Sequence, residues 1–145
     1  SVGKGGKGTE IVNALGTVDQ HSQLQIYLDG PKDKFFTLIN LNQHQKKSDI
    51  LDCSIKDFNF EILDNKSLKN LLSAEFQATV NTITKKKLPL RTIKLKNLKE
   101  SMIGELMMFF FLETILFSYL QNEDPFNQPA VEEGKIITKQ ILKHA

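Results

Sequence analysis

The chain has 145 residues, 40% apolar and 25% charged, a mix that excludes collagen-like, disordered and disulfide-scaffold proteins. Its 19 basic residues against 17 acidic ones leave a net charge of +2, too weak a balance to argue for nucleic acid or an anionic membrane. Cys53 is the single cysteine, which excludes an internal disulfide and a multi-cysteine metal site and makes a reducing, cytoplasmic compartment the expectation.

Residues 1 to 20 read as loop, with Gly3, Gly5, Gly6, Gly8 and Gly16 crowded into them. Phosphate-cradling and active-site turns normally follow a strand that holds them, so the expectation is a piece of something longer. A short helix is expected from Ser22 to Asp29, with Leu24, Tyr27 and Leu28 on one face and Gly30-Pro31 as its stop. The aromatic and β-branched run Phe35 to Leu41 reads as a buried strand. Asn42 to Ser54 is polar, and Phe58 to Leu63 reads as a second strand or edge ribbon.

Leu68, Leu71, Leu72, Phe76, Thr79, Val80 and Ile83 form a helical stripe over Lys66 to Thr84, capped by Ser67 or Asn65. The run Lys85-Lys86-Lys87 sits at its C-terminal end, where cations favour the macrodipole. Arg91 to Leu95 alternates as a strand. Glu100 to Gln121 predicts a long helix, apolar on nearly every side and therefore expected to be surrounded by protein. Its longest unbroken apolar run is only Leu106 to Leu112, and Glu105 and Glu113 interrupt it, so a membrane span is not expected. After a break at Asn122 to Gln128, Pro129 suits the first position of a last helix reaching Lys143. Strand and helix patterns alternate, which points to the α/β class.

Gly3-Lys4-Gly5-Gly6-Lys7-Gly8 satisfies G-x-G-x-x-G literally, but no strand precedes it and no helix opens at its last glycine. It fails as a Walker A loop because Thr9 stands where the phosphate-binding lysine is needed. His21, among small polar residues ahead of a predicted helix, is a candidate for moving a proton near neutral pH, against the alternative that it only hydrogen-bonds the loop. His44 and His144 have weaker cases, and the three histidines show no metal-ligand spacing. Seven basic residues lie between Gln77 and Lys99 without an acidic one, but no aromatic is interleaved for base stacking, so a solvated edge is expected rather than a nucleic-acid face.

The segment Gln128 to Lys135 is the second candidate. Gly134 inside a predicted helix hints at a close approach of another backbone or a ligand. Lys135 opposes the macrodipole in the first turns of that helix and calls for an anionic or polar partner, with Glu132 the simplest choice by spacing.

Together, Gly16-Thr17-Val18-Asp19-Gln20-His21-Ser22-Gln23-Leu24-Gln25 with Tyr27 to Pro31, and Asn127-Gln128-Pro129-Ala130-Val131-Glu132-Glu133-Gly134-Lys135, resemble the glucose-6-phosphate isomerases. Glu113-Thr114-Ile115 and Asp124-Pro125-Phe126 fit the bacterial branch of that family. The resemblance covers most of the chain, with Asn42 to Asn65 indistinct. It implies an α/β fold, the C-terminal part of a sugar isomerase (SIS-type) α/β/α three-layer sandwich plus C-terminal helices, with residues 1–145 an incomplete second sugar-isomerase domain. It further implies aldose-ketose isomerisation of glucose 6-phosphate to fructose 6-phosphate in glycolysis and gluconeogenesis. No metal or organic cofactor is implied, and the family works as a homodimer.

By the same resemblance His21 opens the pyranose ring and serves the partner subunit's site, Lys135 assists at the ring oxygen, and Gln128 holds the substrate. The family's carboxylate base stands in a Glu-Ser-x-Gly-Lys context, of which Ser1-Val2-Gly3-Lys4 supplies all but the glutamate. The separate chain is therefore expected to be inactive, and to aggregate, self-associate or dock to the missing part through its apolar helix. A non-catalytic sugar-phosphate-binding or interaction module of the same fold is the alternative.

Overall fold

The computed structural model describes residues 3–41, 63 and 66–144. Two compact units are distinct, Val12–Ile103 on the one hand and Ser1–Ile11 with Gly104–Ala145 on the other.

In the first unit the chain enters a helix earlier than its sequence suggests. The Asp19 carboxylate accepts the Leu15 amide at 2.5 Å, while the Leu15 carbonyl accepts the amides of Val18 and Asp19 at 3.0 and 2.8 Å. These bonds satisfy the backbone of a first turn and start α1 at Gly16, so that α1 (Gly16–Ser22) occupies sequence read as loop. Gln23 separates it from α2 (Leu24–Asp29). Gly30 ends α2 with its amide on the Ile26 carbonyl, and a Cβ there would stand 2.4 Å from that same oxygen, which only glycine avoids.

β1 (Phe36–Leu41) and β2 (Leu90–Leu95) pair in parallel, in register from Phe36 opposite Leu90 to Leu41 opposite Leu95. A parallel pair needs a crossover, and α3 (Leu68–Lys85) lies in it and packs against β2. Arg91 donates from Nε and Nη2 to its register partner Thr37 Oγ1 at 3.1 and 3.0 Å, and its guanidinium lies 5.4 Å from the Phe35 ring centroid. Tyr27 meets Phe36 edge-on, with ring centroids 5.8 Å apart.

Ser67 caps α3 as its sequence predicts: Oγ accepts the Asn70 amide at 3.2 Å, and Asn70 Oδ1 accepts the Ser67 amide at 3.1 Å. At the other end Lys87 takes a left-handed conformation, φ 57°. The Leu88 amide reaches back to Ile83 O and the Lys87 amide to Thr84 O, a Schellman ending. Ile83 and Leu88, the two positions that such an ending brings into apolar contact, are both buried, as is Leu95. The lysine run is thus a helix stop in its backbone as well as a favourable charge.

The second unit holds α5 (Pro129–Lys143) and all but the first turn of α4 (Glu100–Leu120). Two hydroxyls of α4 are satisfied within the helix, Thr114 Oγ1 on Phe110 O and Ser118 Oγ on Thr114 O. α4 stops in a second Schellman ending, with Asn122 at φ 59°, the Glu123 amide on Ser118 O and the Asn122 amide on Tyr119 O. The expectation that α4 is surrounded by protein is not met among the described residues. Only Ser118 is buried, while Met107, Met108, Phe111, Leu112, Leu116 and Tyr119 are all more than half exposed.

The organisation is mixed helix and strand with a small parallel sheet, in line with the α/β reading. The strand expected at Phe58 to Leu63 lies outside the described residues except for Leu63.

Candidate functional site

The glycine-lysine run at the start of the chain folds into a tight turn. Lys4 and Lys7 exchange both backbone hydrogen bonds, 3.1 and 2.8 Å, around Gly5 and Gly6 at φ 55° and 72°. Two successive positive φ values define a primed hairpin turn, the reason glycines stand there. The turn sends both lysine side chains onto the loop that joins α4 to α5. Lys4 Nζ donates to the Asp124 carbonyl and, at 2.9 Å, to Asn127 Oδ1. Lys7 Nζ donates to the Gln121 carbonyl at 2.9 Å and pairs with Glu123 Oε1 at 3.3 Å. A Cβ on Gly5 would stand 3.0 Å from that same carboxylate oxygen. The loop is also tied internally: Asp124 Oδ1 accepts the Phe126 amide, and Asp124 Oδ2 accepts Asn127 Nδ2 at 2.8 Å.

Gln128 follows directly as the N-cap of α5. Its carbonyl accepts the amides of Val131 and Glu132, but its exposed side chain makes no capping bond. Pro129 occupies the first helical position as predicted. Lys135, seven positions beyond Gln128, shares its side of the helix by the 3.6-residue period. Its Nζ lies 2.5 Å from Glu132 Oε1, the simplest partner that its spacing offered, and the two side chains are 60% and 59% exposed. The close approach expected at Gly134 is absent among the described residues, where a Cβ would meet nothing within 4 Å.

His21 is helical and exposed, in the last turn of α1 and three positions ahead of α2. It belongs to the Val12–Ile103 unit, whereas Gln128 and Lys135 belong to the other. His144 is the C-cap of α5, and His44 and Cys53 lie outside the described residues. Among the described residues no group of three or more His, Cys, Asp or Glu side chains is placed to hold a metal ion. Within the basic run Lys86 pairs with Asp29, and that ammonium, followed by Gln25, holds the Asp29 carboxyl below its ordinary value.

The role of Lys4 and Lys7 is not announced by their motif. Their partners lie 114 to 123 residues away in sequence, and the one local signal is the Lys-Gly-Gly-Lys spacing of a two-residue turn.

Comparison with known proteins gives a consistent result. No family model matches the chain. The glucose-6-phosphate isomerase of Rubrobacter xylanophilus is 36% identical over 138 residues, covering 95% of this chain and 32% of that protein. A probable glucose-6-phosphate isomerase of Natronomonas pharaonis is 38% identical over 98% of the chain and 32% of its own length. The glucose-6-phosphate isomerase of Campylobacter jejuni is 34% identical over 93% of the chain and 33% of its own length. Among solved structures, a hypothetical protein from Thermus thermophilus superposes with a TM-score of 0.77 at 29% identity, covering 89% of this chain and 31% of that one. The chain thus spans about a third of the length of the relatives it matches.

Proposed function

Since the chain is similar over nearly its whole length to glucose-6-phosphate isomerases and spans about a third of them, we propose that it is the C-terminal part of such an enzyme. The reaction is the interconversion of glucose 6-phosphate and fructose 6-phosphate, in the cytoplasm and within glycolysis and gluconeogenesis. The observation that carries this reading is the 36% identity over 138 residues, a span long enough to include both the His21 segment and the Gln128 to Lys135 segment. The full SIS-type three-layer sandwich is part of the proposal. Among the described residues, a two-stranded parallel sheet and an apolar helix lying largely open to solvent both suit a chain whose remaining layers come from elsewhere.

In this reading the sugar phosphate binds as a closed ring. His21 takes the proton of the anomeric hydroxyl and returns one to the ring oxygen as the C1–O5 bond breaks, leaving the open-chain aldehyde. Lys135, exposed on α5, eases the charge that builds on that oxygen, and it exchanges its Glu132 partner for substrate to do so. Gln128, whose side chain is not spent on the cap, holds the substrate hydroxyls. Proton transfer from C2 to C1 through a cis-enediol needs a carboxylate base, which the family places upstream of the Ser1-Val2-Gly3-Lys4 segment. His21 serves the site of a second subunit in a homodimer.

The test is a coupled assay of the complete gene product that contains this chain. Conversion of fructose 6-phosphate to glucose 6-phosphate supports the reading. Tight binding of the sugar phosphate without turnover points instead to a non-catalytic module of the same fold.

A further inference from the structure

We propose that Lys4, assisted by Lys7, is a positioning residue that sets the place of Gln128 at the start of α5. The inference rests on the reading of Gln128 as a substrate-holding residue.

Four observations carry it. The turn around Gly5 and Gly6 is of a type whose two backbone hydrogen bonds fix its geometry, so Lys4 and Lys7 leave it in defined directions. Their ammonium groups fasten the α4–α5 loop at both ends. Lys7 takes the Gln121 carbonyl just past the last turn of α4, and Lys4 takes the Asp124 carbonyl and Asn127 Oδ1 at the far end. Asn127 is the residue before Gln128, and its amide nitrogen is already committed to the Asp124 carboxylate. The Gln128 carbonyl in turn accepts the first amides of α5, so a shift of Asn127 is a shift of the N-cap residue that follows it.

A loop of about eight residues between two helices has several low-energy courses. Hydrogen bonds from a charged donor are the stronger ones, and two of the four contacts are to backbone carbonyl oxygens, those of Asp124 and Gln121. The motif that resembles a nucleotide loop is therefore a two-lysine clamp on the chain itself.

The experiment is steady-state kinetics of the complete gene product with Lys4→Met, Lys4→Gln, Lys4→Arg and Lys7→Met. Loss of the clamp acts on substrate binding, which is uniform between ground and transition states, so it raises KM while kcat holds. The Lys4→Met and Lys4→Gln variants are expected to raise KM for fructose 6-phosphate about tenfold, with kcat within about threefold of the parent and an unchanged pH profile. Lys7→Met is expected to do the same about threefold, its contacts being farther from Gln128. Lys4→Arg keeps the charge and the donors and restores KM. A parent with isomerase activity whose Lys4→Met and Lys4→Gln variants keep the parental KM overturns the inference alone, as does failure of Lys4→Arg to restore it. A parent without isomerase activity overturns the underlying reading and the inference with it.

Discussion

Lys135 Nζ lies 2.5 Å from Glu132 Oε1, one turn back along α5, and both side chains are about 60% open to solvent. An ion pair so exposed contributes little to stability, about 0 to 1 kcal/mol in most measured cases. Replacement of Lys135 by methionine should therefore leave the denaturation midpoint of the complete gene product almost unchanged. Its turnover number should fall about 100-fold, the usual loss when one charge-stabilising donor is removed. A parallel loss of stability and activity would mean that Lys135 is structural.

Lys87 sits at φ 57°, a conformation that costs an ordinary L-residue roughly 1 kcal/mol or more and glycine almost nothing. Lys87→Gly should raise stability by about 1 kcal/mol in chemical denaturation, less what the added freedom of the unfolded chain takes back. The same change at Lys85, the last residue of α3, should lower stability by up to about 1 kcal/mol. Opposite signs at positions two apart would establish the Schellman ending directly.

The Asp29 carboxyl is held below its ordinary value of 3.8, first by the hydrogen bond from Lys86, then by that from Gln25. A carboxyl lowered in the folded state adds stability above its unfolded value, and that increment disappears as pH falls through the folded value. Its window therefore opens only below about pH 4. Carboxyl NMR titration should place the Asp29 midpoint below 3.8, and Lys86→Met should move it upward. An unmoved midpoint would remove Lys86 as the cause.

Met107, Met108, Phe111, Leu112, Leu116 and Tyr119 are all more than half exposed along α4. By length and composition alone α4 could also cross a membrane, but Glu105 and Glu113 would then have to enter the hydrocarbon. A second protein layer accounts for the same face at lower cost. The 145-residue chain expressed by itself should accordingly self-associate in sedimentation velocity. A compact soluble monomer would argue against missing layers.

Much of the fold is legible in the sequence where one local rule dominates. The apolar stripe with Ser67 ahead of it places α3 within two residues, Pro129 places the start of α5, and the alternation of Arg91 to Leu95 places β2. The start of α1 is hidden because Gly16 and Thr17 carry no helical signal. There the helix is set by the Asp19 carboxylate on the Leu15 amide. The exposure of α4 is hidden too, since an all-round apolar helix specifies burial but not the layer that supplies it.

The candidate site divides in the same way. Pairing of Lys135 with Glu132 follows from i,i+3 spacing on a helix. At Gly134 no backbone of the described residues makes the close approach that a helical glycine hints at, and a ligand remains the other reading. Lys4 and Lys7 are silent in the sequence, since nothing local connects a turn at one end of the chain with Asp124 and Asn127 near the other.

The central claim is that this chain carries the ring-opening residue of a sugar-phosphate isomerase, and turnover of the His21→Ala variant tests it most directly. In the coupled assay with fructose 6-phosphate the complete gene product should convert substrate, and His21→Ala should reduce kcat at least about 100-fold, as loss of a general acid-base group does. Because His21 is exposed at the end of α1, the variant should fold normally. An active parent whose His21→Ala variant turns over at the parental rate would contradict the account.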